Sequence, residues 1–174
     1  MSENRIDRVW RCDNCGGLIR SFGAGRVEWL CRGDQDGRAE ITGLRLVHAH
    51  AANPPFPSPY GCEYNPREEF QKDRSLVEGL PFSAFSGVDG LMLLLSMLAR
   101  GEYPAEQLIE LTKRVHVCGY EATRELFPRA IREQIVAPVI GPGYYLQCEI
   151  RDVLSWEAQK AEPHRTKCGL PEKS

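Results

Sequence analysis

No apolar run in this 174-residue chain is long enough to cross a bilayer; the longest, Gly90 to Ala99, is about half of the ~20 residues a spanning helix needs. It is predicted to be a buried helix. Residues Met1 to Arg11 lack the apolar core of a secretory signal, which points to a soluble cytoplasmic protein with no membrane partner. Charge of one sign is also lacking: 22 Lys and Arg face 24 Asp and Glu, for a net charge of -2. Neither phosphate backbones nor anionic lipid are attracted globally by such a balance, so nucleic-acid binding would need a local patch. Lysine is absent before Asn65, where all eight basic residues are Arg, from Arg5 to Arg45. Equally missing are a phosphate-binding glycine loop, a serine-hydrolase elbow and a kinase signature, which excludes a nucleotide cofactor and several large enzyme classes.

Cysteine is plentiful. Seven cysteines at irregular spacing suit metal ligation plus isolated thiols better than a disulfide framework. The most informative segment is Trp10-Arg11-Cys12-Asp13-Asn14-Cys15-Gly16-Gly17. Two thiolates two residues apart can converge on one ion from a tight turn, and the glycines let the backbone reverse behind them. These eight residues resemble one knuckle of a zinc ribbon or rubredoxin-type site. The resemblance implies zinc at Cys12 and Cys15; with no second Cys-x-x-Cys knuckle in the chain, the other ligands come from elsewhere.

A meander supplies them. Val9 to Arg11 and Leu18 to Phe22 read as strands flanking the knuckle. Arg26 to Cys31 and Arg38 to His50 read as an antiparallel pair, with a turn-rich link at 32–37. The outgoing strand leaves the knuckle and the returning one ends beside it at His48 and His50. Alternation puts both histidines on one strand face with Leu44 and Leu46. Cys62 follows in the proline-rich stretch from Asn53 to Pro66. The expected ligands are Cys12, Cys15, one of His48 and His50, and Cys62; Cys31 competes by spacing but lies at the far end of the hairpin.

Beyond the prolines the pattern turns helical. Ser86 to Gly101 brackets one helix. Pro104 opens a second through about Val115, with Leu108, Ile109 and Leu111 toward the core. Two helical pieces, Tyr120 to Phe127 and Pro128 to Val136, follow Gly119. Tyr144 to Ile150 reads either as a strand or as the start of a last helix reaching Lys160. The expected architecture is α+β: a zinc-stabilised β-rich region over 1–66, a helical region over 67–162 and a disordered tail over 163–174.

Three functional readings follow. The first is a non-enzymatic binding or regulatory protein with structural zinc and a protein or nucleic-acid partner. A metal-dependent hydrolase or nuclease using His48 and His50 with Cys12 and Cys15 is the second, and the order Cys-x-x-Cys, His, Asn53 resembles metal-finger nucleases. The third is a DNA-binding regulator with a helix-turn-helix over 105–127, although Glu121, Glu125 and Glu133 beside Arg124, Arg129 and Arg132 fit a solvated helix face.

Overall fold

Two residues on either side of the knuckle turn suffice to make the first small sheet. Strand β1 (Trp10–Arg11) pairs antiparallel with β2 (Leu18–Ile19), Trp10 opposite Ile19. The computed structural model describes residues 9–33, 39–50, 60–138, 140–141 and 143–161. The chain is α+β and divides into two compact units, Met1–Glu121 and Ala122–Ser174. Asn53, the tail over 163–174 with Cys168, and most of the turn link at 32–37 lie outside the described residues.

The second sheet of the first unit has β3 (Gly25–Gly33) at its centre. It runs between β4 (Ala39–His48) and β5 (Leu76–Pro81), both antiparallel to it. Gly25 pairs with His48, so the end of β4 returns to the start of β3 beside the knuckle. Between Glu28 and Leu30 the register shifts, because Gly43 and Leu44 together oppose Trp29. This bulge adds twist to β4. The strand β5 corrects the expectation of helix throughout the segment after residue 66. Leu76-Val77-Glu78-Gly79-Leu80-Pro81 has no clear alternation, and it is pairing with β3, from Leu76 opposite Cys31 to Pro81 opposite Arg26, that makes it a strand.

Helix α1 (Pro66–Asp73) precedes β5. Asn65 caps it by accepting from the backbone N–H groups of Arg67 and Glu68, with Pro66 in the first turn. Helices α2 (Gly87–Arg100) and α3 (Ala105–His116) match the expected pair. Leu94, Met97, Leu108, Leu111 and Val115 join Val27, Trp29, Leu44 and Leu46 in one buried cluster. At the knuckle end the cluster is aromatic: Trp10, Phe22 and Phe82 stand with ring centroids 4.6 to 4.9 Å apart. Three details differ from expectation. Ile109 is exposed rather than in the core, and α2 buries one face only. Ser86 does not cap α2 with its side chain; its hydroxyl donates to the Ser83 carbonyl instead.

The first turn of α2 lies hard against the 3-10 turn at Phe82–Phe85. A Cβ on Gly90 would sit 2.0 Å from the Phe85 carbonyl carbon. Backbone cannot yield as a side chain can, so Gly90→Ala is expected to cost about 3 kcal/mol of stability. Urea titration checks this; a loss below about 0.5 kcal/mol, typical of a surface substitution, would contradict it.

Helix α4 (Tyr120–Thr123) is a single turn at the boundary between the units. In the second unit, α5 (Phe127–Arg132) has Pro128 in its first turn, where the missing N–H costs nothing. Phe127 stacks on Tyr145 at 3.4 Å and 3°. The ambiguous segment is helical: α6 (Gln147–Ala161) begins after Leu146 and buries Ile150 and Val153. Lys160 pairs with Glu133 at 2.7 Å, and both Arg129 and Lys160 stand over the Trp156 ring.

Candidate metal centre

The knuckle turn is closed by its own backbone. The Cys12 amide donates to the Gly17 carbonyl at 2.8 Å, and the Gly16 amide donates to the Cys12 carbonyl at 2.9 Å. Gly16 has φ of +70°, a left-handed conformation in which a side chain is strained. Asp13 then ties the turn to the sheet. Its amide donates to the Leu46 carbonyl at 2.8 Å, and its carboxylate accepts from the Leu46 amide at 2.7 Å. The knuckle is thereby anchored two residues before His48.

Three segments converge at this point. The Sγ atoms of Cys12, Cys15 and Cys62 and one ring nitrogen of His48 all lie within 4.8 Å of one another. His48 Nδ1 is 3.5 Å from Cys15 Sγ and 3.6 Å from Cys62 Sγ, while Nε2 is 3.3 Å from the Leu18 carbonyl. With its proton on Nε2, the ring donates to Leu18 and turns the Nδ1 lone pair toward the sulfurs. That is the orientation of a metal-ligating imidazole. Cys12 and Cys62 are buried, whereas Cys15 is exposed. A Cβ on Gly17 would approach Cys15 Sγ at 3.2 Å and His48 Cε1 at 3.3 Å, so glycine leaves the centre its room.

The donor set fits a metal ion. Tetrahedral zinc with sulfurs at ~2.3 Å holds them ~3.8 Å apart, so closing the group around an ion takes about 1 Å of contraction. The thiols differ in acidity. Burial, then the neighbouring Cys15 and Cys12, push the Cys62 thiol up to about 12. The Cys15 thiol is lowered: burial acts against this, but the Gly17 amide and the thiols of Cys62 and Cys12 outweigh it. A dication bound among these sulfurs would favour their thiolate forms. A Cys3His site could therefore hold a metal ion.

The loop that presents Cys62 is held by a buried carboxylate. Glu28 is inaccessible to solvent on the sheet face opposite Val27; it accepts from Arg45 Nε at 2.8 Å and from the Tyr64 amide at 3.0 Å. Arg45 stacks on the Tyr64 ring at 3.4 Å and donates to the Cys62 carbonyl at 3.3 Å. Burial raises the Glu28 carboxyl above its ordinary value, against the pull of Arg45. On the other side, Arg114 of α3 holds the knuckle. Its Nη1 donates to Asp13 at 2.8 Å, its Nε to Glu121 at 2.7 Å and its Nη2 to the Arg11 carbonyl at 2.6 Å. Glu121 also accepts from the Arg11 amide at 2.7 Å, and the Trp10 indole N–H donates to the Arg114 carbonyl at 3.1 Å.

Four of the five expected ligand residues are thus together, and His50 stands apart. Strand β4 ends at His48, which corrects the premise that the two histidines share a strand face. His50 is exposed beyond the strand, and its amide donates to Glu63 at 2.7 Å. Cys31 pairs in register with Ile41 and Leu76, well along β3 from the end that meets His48. Cys118 and Cys148 occupy exposed positions elsewhere. The reading of Glu121 as part of a solvated face is also corrected, since its side chain is only 9% exposed against Arg114. Glu28, Arg45, Tyr64 and Arg114 carried no local motif; Asp13, inside the knuckle itself, was legible as a turn former but not as an anchor. Comparison of the chain with protein-family models, curated proteins and solved structures finds no match in any of the three.

Proposed function

We propose that this is a non-enzymatic binding or regulatory protein built around one structural zinc ion held by Cys12, Cys15, His48 and Cys62. The observation that carries the reading is the convergence of three thiols and one imidazole nitrogen within 4.8 Å. Sulfur donors select zinc or another thiophilic ion over magnesium or calcium. Four protein donors fill a tetrahedron and leave no position for a reactive water. Three thiolates also donate enough charge to weaken the ion as a Lewis acid, so its contribution is folding energy. The knuckle resemblance at Trp10 to Gly17 is consistent with this role.

Of the other readings, the hydrolase needs an open coordination position, and a fourth donor, Cys62, within 4.8 Å of the other three argues against one. The helix-turn-helix reading needs a second helix long enough to lie in a major groove, and α4 has four residues. A cobalt-substitution experiment tests the proposal. The purified chain is expected to bind one cobalt ion with the intense visible absorption of a tetrahedral thiolate site and with thiolate charge-transfer bands. It is also expected to show no metal-dependent hydrolysis of nucleic acid or phosphoesters. A weakly absorbing, five- or six-coordinate spectrum together with turnover that Cys12→Ser abolishes would replace the proposal with the hydrolase.

A further inference from the structure

Helix α2 is apolar around most of its circumference but buried on only one side. Between Asp89 and Arg100 it carries no charged residue, the pattern of a helix enclosed by protein. Gly90, Leu94 and Met97 face the core. Opposite them, Val88, Met92 and Leu95 are 79%, 63% and 49% exposed, and Ala99 continues the stripe. At 100° per residue, Val88, Met92, Leu95 and Ala99 fall within about 60° of one another, on the side diametrically opposite the buried residues. This is a second packing face.

The charges at the ends of α2 identify what packs there. Asp89 and Arg100 are both exposed, and neither makes an ion pair among the described residues. They are eleven residues apart, about three turns, so both lie on the same flank of the stripe, ~16 Å from each other along the axis. We propose that this face pairs with α2 of a second copy of the chain, antiparallel across a two-fold axis. Such an axis, perpendicular to the helices, keeps each flank on its own side and reverses direction. Asp89 of one copy then meets Arg100 of the other twice, while Met92 packs against the second copy's Leu95 near the axis. A parallel pair would bring this flank against the opposite one and align like ends of the two helix dipoles. Charge placement therefore selects both the occupant and the orientation.

Sedimentation velocity of the full chain across the micromolar range tests the pairing. A concentration-dependent dimer is expected. Met92→Glu, at an exposed site, should leave the circular dichroism unchanged and weaken the dimer at least ~100-fold, because two carboxylates are forced together in an apolar seam. Asp89→Arg or Arg100→Asp alone should weaken it about tenfold, and the double swap should recover most of that loss. A chain that stays monomeric throughout overturns the proposal, as does a dimer indifferent to Met92→Glu. A monomer whose thermal stability falls on Met92→Glu also overturns it, since that places a segment of the same chain, rather than a second copy, on this face. Failure of the double swap to restore what each single swap removes rejects the antiparallel pair.

Discussion

Cys62→Ser is expected to lower zinc affinity by more than ~100-fold, the upper end of what losing a contact that merely orients a ligand costs. Cys31→Ser should leave affinity unchanged. The contrast is informative because both cysteines lie at workable sequence distances from the knuckle, yet only Cys62 has its sulfur within 4.8 Å of the other donors. In a structural site, binding energy is also folding energy, on the order of 10 kcal/mol in isolated zinc modules. The Cys62 variant and the chelated wild type should therefore melt alike, well below the metal-loaded chain. The loss should concentrate in the first unit, where knuckle, β4 and the Cys62 loop depend on one another. Competition with a zinc indicator gives the affinities and differential scanning calorimetry the stability. If Cys31→Ser lost the metal and Cys62→Ser retained it, the assignment of ligands would be wrong.

Arg114→Met should be the most damaging change outside the ligands. The Arg114 side chain is 4% exposed and faces Asp13 and Glu121, so removing it takes the guanidinium away from both carboxylates. Breaking a buried pair in this way costs about 3–5 kcal/mol. Its effect should reach the metal, because the same guanidinium fixes Asp13 and the Arg11 carbonyl on either side of Cys12. Zinc affinity is expected to fall ~10- to 100-fold with all four ligands present. Neutralising the carboxylates as well, with Asp13→Asn and Glu121→Gln, should recover part of the stability, since part of the penalty comes from charge that has lost the guanidinium. Guanidinium titration of the single and triple variants measures both effects. Unchanged stability in Arg114→Met would mean that the knuckle is held by the sheet alone.

The local parts of this protein were legible in its sequence because they are set by neighbouring residues. Cys12 and Cys15 with their glycines announce a turn, Arg26 to His50 announces a hairpin, and Ser86 to Gly101 announces a helix. The start of α1 also has a local signature: Asn65-Pro66 followed by Glu68 is an N-cap, a first-turn proline and an acidic third residue. What stayed hidden depends on distant partners. Strand β5 exists because β3 offers it an edge, and its Gly79 is required because a Cβ there would meet the Val27 carbonyl oxygen at 2.5 Å. Glu28 and Arg114 read as ordinary charges until the fold buries them against residues 17 and 101 positions away. The choice between His48 and His50 turned on where β4 stops, and element ends are the feature a pattern locates least well.

The coordination sphere itself is the most direct test. X-ray absorption at the zinc edge of the purified, metal-loaded chain should show three sulfur neighbours at ~2.3 Å and one nitrogen at ~2.0 Å, with the multiple scattering of a single imidazole. Two sulfurs with two nitrogens, or an oxygen neighbour that exchanges with solvent, would contradict a closed site formed by Cys12, Cys15, His48 and Cys62.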